Sequence, residues 1–258
     1  MSESRNHEHI LRIKPVFQNL IPEVVIIALL LAVWQGIYES RLLSEFVVTS
    51  PLRVIGYLWE PDILRHWSIS FERVTTGLSI ATALAVSLLV AGIASLKVQN
   101  ILNVLANTLR FIPPIAWIPL AIIWFGIGES SKAYIIIYGG FFPMFLSLFS
   151  AYQNLPGESL KLISINTDSK LKAAYYGYVL GLTPGFIHSI RLGFGVAWMS
   201  LVAAELIASD VGLGYMIEEG RMLLNTTQVV GGMVLIGLTG YVFDFILRIA
   251  ERWYAWQN

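Results

Sequence analysis

No cysteine occurs in the 258 residues, which removes disulfides, thiolate nucleophiles and cysteine metal ligands together. Charge is scarce as well: Asp, Glu, Lys and Arg make up 13 % of the chain, seventeen of each sign, and the formal net charge is zero. No basic surface calls for nucleic acid, and no acidic tail marks a disordered interaction segment. The four histidines, His7, His9, His66 and His188, show no zinc-ligand pattern. A phosphate-binding loop of the form G-x-x-x-x-G-K-[ST] is missing; "GIGESSK" at 126–132 lacks its spacing. There is no Gly-x-Ser-x-Gly elbow, low-complexity tract or internal repeat. These absences argue against an enzyme and against a chain that hydrolyses ATP by itself.

What remains is apolar. Apolar residues form 56 % of the chain and the mean hydropathy is +0.67, the signature of a membrane protein. The opening "MSESRNHEHILRIKPVFQNL" is too long and polar for a cleaved signal peptide and is expected to be a cytosolic segment, residues 1–20. Residues 21–258 are expected to form a single transmembrane domain. Six stretches approach the roughly 20 apolar residues a spanning helix needs: 21–38, 74–96, 111–127, 133–148, 186–207 and 229–249.

An even count places both termini on one side, and lysine and arginine indicate which. Arg5, Arg12, Lys14, Lys97, Arg110, Lys161, Lys170, Lys172, Arg248 and Arg252 fall on the side of the termini; Arg41, Arg53, Arg65, Arg73, Lys132 and Arg221 fall on the other. Both termini are therefore expected in the cytosol. Apolar Leu52, Ile55, Leu58 and Trp59 recur at helical spacing between the first two spans, which predicts a short surface helix.

Ionisable groups inside spans are functional candidates by default. Arg191 and Glu205 flank the fifth span, about 21 Å apart along a helix. Arg191 reads as a headgroup anchor or as a cation at the mouth of a path. Glu205 reads as a group that positions the loop after it, and Asp244 as interfacial or internally paired. Gly193, Gly195, Ala197, Ser200 and Ala203 permit close helix approach. They serve plain packing or, with Trp198, line a path at the meeting of two subunits. "SDVGLGYMIEEGRML" is too polar to span, and Gly212 and Gly214 allow it to turn. Pro113, Pro114 and Pro119 interrupt the third span, removing amide donors in a segment where backbone groups need partners. Either neighbouring helices absorb the kink, or the bent segment with Trp117 borders a route for solute.

Three stretches, "SPLRVIGYLWE", "FIPPIAWIPLAIIWFGIGESSKAYIIIYGGFFPMFLSLFSAYQNLP" and "IRLGFGVAWMSLVAAELIASDVGLGYMI", occur in this order. Together they resemble the permease subunits of ATP-binding-cassette (ABC) importers, in the nitrate/sulfonate/bicarbonate (taurine-type) group. The resemblance implies an all-α membrane protein of about six transmembrane helices, like a type I ABC importer permease. It implies a cytosolic coupling helix between the fourth and fifth helices, and a pathway for a small oxyanion worked by alternating access. It also implies a second permease subunit in a homo- or heterodimer, two cytosolic ATP-binding subunits carrying ATP and magnesium, and an extracytosolic solute-binding protein. No cofactor is expected on this chain, which is placed in the bacterial cytoplasmic membrane.

The family's coupling loop carries a Glu-Ala-Ala motif and a later glycine. Here "KLISINTDSKLKAAYYGYVLGLTPG" puts Lys161 at the glutamate, Leu162 and Ile163 at the alanines, and Thr167, followed by Asp168, at the glycine. Leu180 replaces a proline, although Pro184 is kept. Two accounts stand: the ATPase groove has changed to match, or this chain is the weaker half of a heterodimer. Two other functions remain open on the residues alone: a secondary transporter or channel without an ATPase, weakened by the lack of related halves, and a non-transporting scaffold.

Overall fold

The computed structural model describes residues 20–42, 44, 47–155 and 181–255, with the backbone alone at 20–24 and 255. Its elements are α1 (Leu20–Glu39), α2 (Pro51–Tyr57), α3 (Pro61–Ala94), α4 (Leu96–Leu109), a 3-10 turn (Pro114–Trp117), α5 (Ile118–Phe125), α6 (Glu129–Gln153), α7 (Gly181–Ala208), α8 (Leu213–Met222) and α9 (Thr226–Ala255). The protein is all-α. Among the described residues α3, α6, α7 and α9 are each long and apolar enough to cross a membrane, and α4 with the segment Pro114–Phe125 makes a further candidate bent by 89°. Helices dominate because every backbone N–H is then satisfied within its own segment, which hydrocarbon requires.

The chain packs as two units, residues 1–60 with 220–231 and residues 61–219 with 232–258. In the first, Ser50 caps α2 by accepting the Arg53 N–H at 3.2 Å, and the short helix predicted at this point is present. Trp34 Nε1 donates to the Thr49 carbonyl at 2.9 Å, and the Thr49 and Thr227 hydroxyls lie 2.7 Å apart. Gly231 lets the backbone of α9 approach the Tyr57 ring.

In the second unit α6 is the central helix, packed along α7 and α3. Val74, Leu78, Ala81, Ala85 and Leu89 form the buried stripe of α3, and Ile135, Ile136, Met144, Phe145 and Leu148 are buried on α6. Hydrophobic burial does not drive association between helices already in lipid, so close approach and dispersion must do so. Glycine supplies the approach. A Cβ on Gly77 would meet Ile136 Cγ2 at 2.5 Å, one on Gly193 would meet Met144 Cε at 2.7 Å, and one on Gly139 would overlap Ser200. Trp67 Nε1 donates to Thr239 Oγ1 at 2.9 Å, joining α3 to α9.

Two expected spans are redrawn. The second begins at Pro61 rather than Val74, because Ser70 and Arg73 find buried partners and the helix need not end where hydropathy falls. The third is no single helix over 111–127: α4 occupies residues 96–109, which read as a connection, and the chain turns before α5. The prolines lie at helix starts. Pro113 is the residue before the 3-10 turn, Pro114 opens it, and Pro119 is the second residue of α5. A missing N–H has no intrahelical partner to lose at these positions. The interior proline is Pro143 in α6, which withholds the hydrogen bond that the Gly139 carbonyl would otherwise accept.

Candidate functional site

Two polar constructions stand out in the second unit, near opposite ends of α6. At its start, Arg73 of α3 uses Nε and Nη2 as a fork on Glu129, at 2.8 and 2.5 Å. Its Nη1 donates to Glu205 Oε1 at 2.8 Å and to the Val211 carbonyl at 2.6 Å. Lys132 Nζ donates to Glu129 Oε1 at 2.8 Å and to Ser209 Oγ at 3.2 Å. The side chains of Arg73, Lys132 and Glu205 are 8 %, 3 % and 0 % exposed, whereas that of Glu129 is 66 % exposed.

Glu205 is enclosed on all sides. Ser70 Oγ lies 2.8 Å from both its oxygens, and the Gly214 N–H donates to Oε2 at 2.9 Å. The Leu213 N–H donates to Ser70 Oγ at 2.8 Å, and the Gly212 N–H to His66 Nδ1 at 3.1 Å. Gly212 has φ +128°, and a Cβ there would overlap the Glu205 carboxylate. Glu205 thus contacts the turn that follows α7 directly, at Gly212 and Gly214. Four elements, α3, α6, α7 and the start of α8, are tied by paired charges that solvent reaches only through Glu129. Sequence position alone makes Arg73 and Lys132 look like loop cations; their burial depends on Glu205 and Ser209, 132 and 77 residues away.

At the other end of α6 a cavity of about 860 Å³ opens between α6, α7 and the proline turn. Pro114, Tyr138, Gly139 and Pro143 line its inner part. Its walls also carry Ser147 and Ser150 from α6, Asn154 just after it, His188 from α7, Arg110 from the end of α4 and Glu251 from α9. The Tyr138 hydroxyl donates to the Leu109 carbonyl at 2.8 Å, anchoring the turn to α6 where its backbone lacks helical partners.

The expected pathway residues separate. Pro114 lines this cavity. Pro113 is exposed beside it, while Trp117 is half-buried and packs on Tyr138 with ring centres 5.2 Å apart. Arg191, Gly195 and Trp198 line a different groove of about 440 Å³ between α7 and α9. Arg191 is not a free cation: it pairs with Asp244 through Nε and reaches Glu251 at 3.4 Å. Trp198 is buried and donates to the Ile236 carbonyl at 3.1 Å. Ser200 is buried against Gly139 and bonds back to the Val196 carbonyl at 2.6 Å. Packing therefore accounts for Gly193, Ala197 and Ser200, whereas Gly195 faces open space. Lys161, Leu162, Ile163, Thr167 and Asp168 lie outside the described residues.

Residues 83–255 match the family model described as binding-protein-dependent transport system inner membrane component. The chain belongs to that family. A putative ABC transporter permease protein of Methanocaldococcus jannaschii is 31 % identical over 266 residues, covering 98 % of each chain. The taurine transport system permease protein of Escherichia coli is 28 % identical over 247 residues, 92 % of this chain and 90 % of the relative. The nitrate import permease protein of Synechococcus elongatus is 24 % identical, covering 92 % of this chain and 91 % of the relative. The protein is thus a multi-pass permease subunit of an ABC importer in the cytoplasmic membrane. It is not an enzyme, and ATP hydrolysis resides in a separate subunit. The reading as a self-sufficient secondary transporter or channel is set aside.

Proposed function

We propose that this permease carries a small oxyanion of the nitrate, bicarbonate or sulfonate class by alternating access, and that the 860 Å³ cavity is its share of the pathway. The observation that carries this is the position of the cavity on a chain aligned nearly end to end with permeases named for taurine and nitrate. With both termini in the cytosol, the cavity opens to the cytosolic side. The network around Glu205 then closes the extracytosolic side, and the chain stands in an inward-open arrangement.

The complete importer contains a second permease subunit, identical or related, two ATP-binding subunits that hold ATP and magnesium, and an extracytosolic solute-binding protein. Closure of the ATPase pair reaches the spans through residues 153–180, with Lys161 and Ile163 at the contact. Uptake of labelled nitrate, bicarbonate and taurine by cells whose only importer of each is this complex tests the cargo. Accumulation of one or more supports the class, and accumulation of none excludes it.

A further inference from the structure

We infer that Arg110, with the hydroxyls of Ser147 and Ser150 and the amide of Asn154, forms an anion-selective wall in the cavity. The inference rests on the proposed pathway and gives it a chemistry.

The sign of the cavity follows from which charges are already matched. On the side formed by α7 and α9, Glu251 accepts from His188 Nδ1 at 3.1 Å and from Arg191 Nη1 at 3.4 Å. Asp244 is shared by Arg191 and Arg248. The two arginines and two carboxylates there are paired with one another, and His188 is hydrogen-bonded to Glu251. Arg110 is different: among the described residues it has no carboxylate partner, and its one close charge contact is the face of Phe111, 5.0 Å from the ring centre. It is exposed and sits on the cavity rim at the end of α4. Arg110 caps that helix through its backbone N–H, and the positive guanidinium beside a helix C-terminus is favoured by the macrodipole; among the described residues its donors have no hydrogen-bond partner.

The opposite wall supplies donors of a second kind. Ser147 and Ser150 of α6 and its C-cap residue Asn154 stand at i, i+3 and i+7, on one face and within about 10 Å along the axis. Hydroxyls in apolar helices ordinarily bond back to the preceding turn, as those of Ser79, Thr82, Ser87 and Ser200 do here. The Ser147 hydroxyl has no hydrogen bond among the described residues, and Ser150 receives only the Asn154 amide at 3.4 Å. A nitrate or sulfonate presents acceptors alone and requires donors alone, with one positive charge among them. Among the described residues that line the cavity, the carboxylate is Glu251, which is already paired.

Absence of native cysteine makes a direct test available. Ser147→Cys or Ser150→Cys in the assembled importer is treated with an anionic (sulfonatoethyl) or a cationic (trimethylammonioethyl) methanethiosulfonate. Modification of this chain is followed by its mass, and rates are divided by those with a free thiol in solution. The expected result is faster reaction with the anionic reagent at both positions. Arg110→Gln should reduce the anionic-to-cationic ratio about tenfold, and Arg110→Lys should restore most of it. Failure of both cysteines to react, or a ratio indifferent to Arg110→Gln, would overturn the inference. Millimolar nitrate or taurine is expected to slow the anionic reagent. If the ratio depends on Arg110 while nitrate, bicarbonate and taurine all fail to protect, the anion-selective wall stands and the proposed cargo falls.

Discussion

A carboxylate buried in a membrane bundle is tolerated only when its neighbours match it, and Glu205 is matched by Arg73, Ser70 and the Gly214 amide. Removing it leaves the Arg73 charge half-matched in a dry site, an arrangement that typically loses about 3–5 kcal/mol. Glu205→Ala should therefore lower the melting temperature of the purified complex strongly, whereas Glu129→Ala, at the wet edge, should lower it less; equal losses would deny the difference in burial. Gly212→Ala carries two penalties, a backbone at positive φ and a methyl group driven into the carboxylate. It should disturb the same loop, visible as faster proteolysis between α7 and α8. Glu205's role was legible in the sequence because a lone carboxylate before a glycine turn has few other uses. Its partners were not, since 132 residues separate it from Arg73 and hydropathy says nothing about who meets whom.

At the level of helices, proline position decides between breakage and initiation. Pro114 and Pro119 begin elements, so replacing either by alanine should change stability by only about 1 kcal/mol, checked by thermal melting. Gly139→Leu, by contrast, forces α6 away from Ser200, and overpacking of this kind typically destabilises by about 1–3 kcal/mol or more. The four long spans could be read from hydropathy because each holds a long, mostly apolar stretch with few charges. The α4 helix could not: Lys97, Asn100, Asn103 and Asn107 dilute its apolar face, and that composition reads as a polar connection until α3 and α6 are in place beside it. Lys161→Glu or Ile163→Glu is predicted to uncouple ATP hydrolysis from transport while the protein still reaches the membrane. Unchanged transport per ATP would count against that contact.

For the molecule as a whole, the second unit is fastened at one end and open at the other. Paired charges and hydrogen bonds draw α3, α6, α7 and α8 together around Glu205, and at the far end of α6 the helices part around the cavity. Such an asymmetry is what one state of an alternating-access device requires, provided that something outside the chain supplies the energy to reverse it. In this family that source is a separate ATP-hydrolysing subunit. The path's position was harder to foresee: Arg191 and Ser200 have the right residue types, but their neighbours use them for pairing and packing. The decisive measurement is solute uptake into proteoliposomes holding the permease with its ATP-binding and solute-binding partners, with and without ATP inside an otherwise identical preparation. Uptake that needs both ATP and the ATP-binding subunits is the predicted result; flux through the permease alone, without either, would contradict the account.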